Sequence, residues 1–237
     1  MTRPLIIAID GPASSGKSTL SRLLARELGL LYLDTGSMYR AVALAVTEAG
    51  VNLTDSKAVG EIARRAAIVL EGDPDSVRVA LEGRDVTEAI RSEQITHASS
   101  VVSTIPEVRR EMVRRQREMG REPGRGVVLN GRDAGTVIFP DADLKFFLTA
   151  EPEARARRRF EEERVRVQDI NYDETLADIN ARDRRDSERD DSPLTIADDA
   201  VVIDTTELSI EDVFRQMLEV VRERHPPDEG GASNPRP

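Results

Sequence analysis

Short apolar runs recur along the chain at Leu5 to Ile9, Leu30 to Leu33, Val127 to Leu129, Leu144 to Leu148 and Ala200 to Ile203, each followed by sequence with helical periodicity. Runs of strand length without polar alternation predict strands buried on both faces, and their alternation with helices predicts an α/β fold with a covered parallel sheet. The helix after the first run is the clearest. Leu20, Leu23, Leu24 and Leu28 share one face, Arg22, Arg26 and Glu27 point away, and Gly29 is placed to stop it.

Between Thr35 and Pro123 the pattern changes. Helical stretches around Met38 to Glu48, Val59 to Arg65 and Glu107 to Met119 surround a hairpin-like piece with Val77 to Ala80 as one strand, which predicts an insertion between core strands. Glu82-Gly83-Arg84-Asp85 reads as a hairpin turn within it. The segment from Glu151 to Asp191 holds ten Arg and fourteen acidic residues, balanced enough for two solvated helices or a mobile lid. Four Pro and two Gly lie between His225 and Pro237, a composition that predicts disorder. There is no internal repeat.

Composition narrows the function. The 237 residues carry 34 Lys and Arg against 44 Asp and Glu, a net charge of −10 that argues against nucleic acid or an anionic membrane as partner. Aromatic residues are 3% with no Trp, so base-stacking platforms are not expected. With no Cys there is neither a disulfide framework nor a thiolate nucleophile, and His97 and His225 are too few for a histidine metal cluster. His97 reads as a packed or surface helix residue. The apolar run before Asp10 is too short for a signal peptide or a membrane span, so a cytoplasmic protein is expected.

Gly11-Pro12-Ala13-Ser14-Ser15-Gly16-Lys17-Ser18 matches G-x-x-x-x-G-K-[ST] and sits where that motif must, between a strand and an amphipathic helix. The two glycines let backbone N–H groups turn inward around a β-phosphate at the positive end of the helix. Lys17 then reaches the β- and γ-phosphates, and the Ser18 hydroxyl can ligate Mg²⁺. Nucleoside triphosphate binding follows, but not the use made of it. A guanine-nucleotide switch is excluded by the lack of any Asn-Lys pair. A mechanical ATPase is disfavoured because the best candidate Mg²⁺ strand ends Val128-Leu129-Asn130, without a carboxylate.

A kinase with a phosphorylated acceptor must neutralise two polyanions in line, and further arginines are present for that. Arg40 follows the second apolar run in Asp34-Thr35-Gly36-Ser37-Met38-Tyr39-Arg40, and Gly131-Arg132-Asp133-Ala134-Gly135-Thr136 follows the third. Arg182, Asp186 and Arg189, spaced i, i+4, i+7, are expected on one helix face.

These pieces in this order, with Pro106-Glu107-Val108-Arg109 and Arg182 to Arg189, resemble the bacterial cytidylate kinases, the CMP/dCMP kinases of the nucleoside monophosphate kinase family, from about Leu5 to Arg222. The resemblance implies a P-loop NTPase three-layer fold with a five-stranded parallel sheet, an acceptor-binding insertion and a short helical lid. Residues 1–36, 124–150 and 192–224 would form the core, 37–123 the insertion, 151–191 the lid and 225–237 a disordered tail. It implies ATP on Gly11, Pro12, Ala13, Ser14, Ser15, Gly16, Lys17, Ser18 and Thr19, with Arg155 and Arg158 closing from the lid. Thr35, Arg40, Arg132 and Arg189 would hold the CMP phosphate, Arg182 and Asp186 the ribose, and Asp133, Arg109 and Ser100 the base. Lys17, Arg132, Arg189 and Arg158 are the implied catalytic residues, Mg²⁺ the cofactor, and a monomer the expected state.

Two readings stay open beside it. A salt-bridged surface helix would also explain Arg155, Arg157, Arg158 and Arg159 beside Glu161, Glu162 and Glu163, and Arg184 and Arg185 are ambiguous in the same way. Asn130 departs from the family, which usually carries Asp or Glu there, so a nucleotide-binding protein without turnover remains an alternative; a kinase for UMP or AMP is another, with Asp133 and Arg109 arguing against it.

Overall fold

The computed structural model describes residues 4–122, 124–165 and 170–226. The first half contains β1 (Ile6–Asp10), α1 (Lys17–Leu28), β2 (Leu31–Asp34), α2 (Thr35–Glu48), α3 (Ser56–Arg65), β3 (Ile68–Glu71), β4 (Arg78–Leu81), β5 (Arg84–Asp85) and α4 (Glu93–Val102). The second contains α5 (Pro106–Gly120), β6 (Val127–Asn130), β7 (Leu144–Thr149), α6 (Pro152–Glu163), α7 (Tyr172–Glu188), β8 (Val201–Asp204) and α8 (Ile210–Arg224). All five apolar runs became strands of one five-stranded sheet in the order β2-β6-β1-β7-β8, every neighbouring pair parallel.

Alternate residues of these strands feed two cores, one on each face, because side-chain direction alternates along a strand. Ile7, Ile9, Val128, Phe146 and Leu148 pack under Leu20 and Leu24 of α1 and Val213 and Met217 of α8. Ile6, Ala8, Leu33, Val127 and Leu129 face Met38 and Val42 of α2 and Met112 of α5, and that core runs on into the insertion through Val59, Val79 and Val102. The result is a three-layer α/β arrangement. Truncating a fully buried side chain such as Leu24 to Ala would cost about 2–5 kcal/mol.

The hairpin-like piece is a three-stranded antiparallel sheet, β3-β4-β5, larger than its apolar content suggests. The turn expected over Glu82 to Asp85 narrows to Glu82 and Gly83, both at positive φ, because Arg84 and Asp85 pair with β4 as β5. α6 and α7 are the two charged helices of the Glu151 to Asp191 segment. The tail expectation falls, from residue 227 on, outside the described residues.

Each core strand ends in a polar residue: Asp10, Asp34, Asn130, Thr149 and Asp204. Parallel strands share one direction, so these residues line a single edge of the sheet. That carboxyl edge is where open α/β sheets bind ligands.

Candidate active site

The loop after β1 is shaped by backbone that only certain residues tolerate. Gly11 has φ 144 and Gly16 φ 87, and Ser14 is also at positive φ. A Cβ on Gly11 would lie 2.0 Å from the Leu148 carbonyl oxygen, so no side chain fits there. Gly16 caps α1 without a side-chain acceptor, which leaves the first N–H groups of the helix for an anion. Lys17 folds back over this loop, donating to the Pro12 carbonyl and, at 3.3 Å, to Ser15 Oγ. Burial, followed by repulsion from Arg132 and Arg182, holds the Lys17 ammonium well below the ordinary lysine pKa. A phosphate between these cations would relieve that repulsion.

The arginines picked from the sequence converge beside this loop. Arg40 reaches Asp34 at 2.9 Å and Ser37 Oγ at 2.8 Å, and Asp34 also caps α2 through Gly36 N at 3.1 Å. Burial alone would raise Asp34, but Arg40 and Ser37 outweigh it and keep the carboxyl below the usual range. Thr35 Oγ1 donates to the Asn130 carbonyl at 2.7 Å, tying β2 to β6. Arg132 Nε meets Asp186 at 2.7 Å, and Arg189 stands 3.9 Å from both Asp186 and Asp133. Against the cost of its burial, Arg132 and Arg182 hold Asp186 ionised. Arg182 is brought down to about 10, first by burial and then by Arg132.

At the far end Arg109, 2% exposed, pairs with Asp133, and its guanidinium lies 5.7 Å from the Tyr39 ring centroid. Ser100 Oγ accepts from Arg185 Nε at 2.9 Å. Within this buried cluster Arg40 Nε, Arg109 Nε and Arg189 Nη2 have no hydrogen-bond partner. Orphaned charged donors cost several times a surface group's hydration loss unless an acceptor arrives. The chemistry of such a cluster suits anionic oxygens.

Three placements differ from the expectations. Arg189 is not on the face of α7: the helix ends at Glu188, and Arg189 follows it in extended backbone with ψ 141, Nε donating to the Ser192 carbonyl at 2.6 Å. It reaches the cluster from the loop. Arg155 is not a surface ion-pair residue either, being 3% exposed, with bonds to the Ala150 carbonyl at 2.9 Å and the Ala13 carbonyl of the glycine-rich loop at 3.3 Å. Asp183 of α7 completes its shell at 2.6 Å. Arg158 donates to Thr205 Oγ1 at 3.0 Å and to the Thr205 and Thr206 carbonyls, anchoring α6 to the end of β8. Among these neighbours only Arg159 makes the expected i,i+4 pair, with Glu163. His97 is an exposed position of α4.

Sequence reasoning missed Asp10. Its carboxylate accepts from Ala134 N at 2.8 Å and Gly135 N at 2.7 Å, clamping the Arg132-Asp133 turn to the start of the glycine-rich loop. Burial raises its pKa to about 6 despite those bonds and Lys17. The available signal was a charged residue ending an otherwise apolar run one position before the motif. Asn130 Nδ2 donates to Ser18 Oγ at 3.1 Å, leaving a buried, unpartnered Asn130 Oδ1. A hydroxyl and a free amide oxygen suit a hard cation or its water, and no cluster of three His, Cys, Asp or Glu side chains exists among the described residues to bind one more tightly. No helix among them is long and apolar enough to cross a membrane.

Comparison with known proteins agrees with this geometry. The cytidylate kinase family model matches residues 7–223. A cytidylate kinase of Bacillus pumilus is 47% identical over 219 residues, covering 92% of this chain and 96% of that protein. One of Caldanaerobacter subterraneus subsp. tengcongensis is 49% identical over 216 residues, covering 91% and 94%. A crystal structure of a protein from Eubacterium ventriosum shares the fold at a TM-score of 0.51, with 12% identity over 92% of this chain and 98% of that one. With its glycine-rich loop, its arginine cluster and these relatives, the chain belongs to the cytidylate kinase family.

Proposed function

We propose that this protein transfers the γ-phosphoryl group of ATP to CMP and dCMP, giving ADP and CDP or dCDP. The observation that carries the reading is the set of buried guanidinium N–H groups without acceptors, on Arg40, Arg109 and Arg189, beside a glycine-rich phosphate loop. Two anions side by side are what a monophosphate kinase must hold.

In this reading residues 11–19 cradle the donor phosphates and Lys17 swings from Pro12 onto them. Thr35, Arg40, Arg132 and Arg189 hold the acceptor phosphate, whose oxygen attacks the γ-phosphorus as the bond to the ADP oxygen breaks. That oxygen is already anionic, so no general base is needed. Arg182 and Asp186 take the ribose. Asp133 spends one oxygen on Arg109 and keeps the other 3.9 Å from Arg189, free to accept from the exocyclic amino group of cytosine. Uracil would set a carbonyl oxygen against that carboxylate, and one lost polar contact of this kind costs a few kcal/mol. Arg155 and Arg158 complete the donor side.

Ser18 and Asn130 would hold Mg²⁺ or its water, and bound metal neutralises phosphate charge. The divisions 1–36, 124–150 and 192–224 as core, 37–123 as insertion and 151–191 as lid follow the same reading, with the lid excluding water that would otherwise hydrolyse ATP. A monomeric, cytoplasmic enzyme belongs to the same reading, with ATP as donor fitting that compartment.

Product analysis tests the reading. Incubation with Mg²⁺, ATP and CMP should give ADP and CDP in equal amounts, with negligible ADP when CMP is omitted. ADP and free phosphate without CDP would reject it.

A further inference from the structure

One hydrogen bond joins the expected lid to the acceptor insertion. Arg185 Nε of α7 donates to Ser100 Oγ of α4, residues 85 apart in sequence. Arg185 lies three residues after Arg182, so the two share a side of α7. Carboxylates flank it at Asp183, Asp186 and Glu188, yet it pairs with no acid among the described residues. Arg40, Arg109, Arg132 and Arg189 each have a carboxylate within 4.0 Å. Ser100 is 5% exposed and lies one turn before Ser103, whose Oγ donates to the Ser100 carbonyl at 3.1 Å and whose own carbonyl accepts from Arg109 Nη1 at 3.2 Å.

A serine hydroxyl has one proton and two lone pairs and rotates freely, so alone it offers a ligand either donor or acceptor. A guanidinium donating to its oxygen changes that. It occupies one lone pair, turns the proton away from the positive charge and polarises the O–H bond. We propose that Arg185 is a specificity-positioning residue, fixing the Ser100 hydroxyl as a hydrogen-bond donor toward the pyrimidine ring. This rests on the reading of Ser100 as a base-binding residue. Cytosine presents adjacent acceptors at N3 and O2 and a donor at its amino group. Uracil carries a hydrogen on N3. A fixed donor at Ser100 and an acceptor at Asp133 together match cytosine and mismatch uracil.

A double-mutant cycle with Arg185→Leu and Ser100→Ala tests this, since coupling appears only when one residue acts through the other. Arg185→Leu should raise KM for CMP about three- to tenfold, the worth of one net hydrogen bond. The kcat and the KM for ATP should stay within about twofold, and the preference for CMP over UMP should fall by a similar factor. Ser100→Ala should do the same, and the double variant should be no worse than Ser100→Ala alone. Arg185→Lys, which keeps a cationic donor, should recover part of the loss and serves as the second variant if Arg185→Leu folds poorly. Multiplying effects in the double variant would overturn the proposal, as would a raised KM for ATP with reduced kcat, the signature of a lid latch. If Ser100→Ala leaves the KM for CMP unchanged, the base-site reading fails and the proposal falls with it. If Ser100→Ala behaves as expected and Arg185→Leu does not, only the proposal fails.

Discussion

Replacing Asp10 by Asn removes a buried charge while keeping the side chain's shape. In the folded protein the Asp10 carboxyl sits near pKa 6, against an ordinary 3.8, chiefly because burial disfavours its anion. A folded pKa above the unfolded one means that the folded state holds the extra proton between those values. Asp10 therefore adds stability as pH falls through 6 and withholds it above. A shift of about 2 pKa units is worth ~3 kcal/mol in full, of which ~2 kcal/mol should be recovered between pH 7 and pH 4.5. Asp34 and Asp186, whose pKa values are lowered, tilt stability the opposite way, but they do so in both proteins and cancel in the difference. Urea unfolding of wild type and Asp10→Asn at several pH values reads that difference directly. Wild type should gain about 2 kcal/mol on the variant as the pH is lowered over that range. A constant difference would refute the reasoning, because it would mean that the Ala134 and Gly135 N–H groups fully offset burial. Kinetics give a second arm. The Asn amide can accept from only one of those N–H groups, so the Arg132-Asp133 turn loosens and turnover should fall at least about tenfold, as small misplacements in catalytic sites do.

Further outcomes follow from the same geometry. Arg132→Ala should lower kcat/KM by about three to five orders of magnitude if Arg132 stabilises transferring charge, whereas a surface arginine would cost nothing measurable in steady-state assays. Gly11→Ala should weaken ATP binding more than about tenfold by calorimetry, since its Cβ would strike the Leu148 carbonyl. Gly29→Ala, at φ 65 in open space, should cost only about 1 kcal/mol of stability. Asn130→Asp adds a carboxylate beside Ser18, so Mn²⁺ or Mg²⁺ should bind the nucleotide-free protein more tightly and the metal requirement of turnover should drop. Unchanged affinity and unchanged turnover would remove the role given to position 130.

The sheet was legible because its strands are mostly buried and so mainly apolar, from Ile6–Asp10 to Val201–Asp204, with Lys145 the one charged residue before the polar strand ends. The small sheet was only partly so. Ile68–Glu71 alternates half-buried and exposed positions, and β5 is two polar residues, Arg84 and Asp85, held by pairing to β4. The phosphate loop announces itself because glycine is required where φ is positive and space is absent. Motif likeness drew Arg40, Arg109, Arg132 and Arg189 together, but it could not say how each is held. Arg155 and Arg158 look like surface charges in sequence, and only tertiary structure shows their guanidinium groups bound to carbonyls of Ala13, Thr205 and Thr206. Asp10 went unread, and Arg185 stayed ambiguous, for the same reason. Their partners lie 124 and 85 residues away, out of reach of any short local pattern.

The central claim is that this cluster selects a cytosine monophosphate as acceptor. Initial rates of ADP release with Mg²⁺ and ATP, measured separately with CMP, dCMP, UMP, AMP and GMP against a control without acceptor, test it most directly. Fast turnover confined to CMP and dCMP is the predicted result; comparable rates with UMP or AMP, or no turnover with any acceptor despite ATP binding, would contradict it.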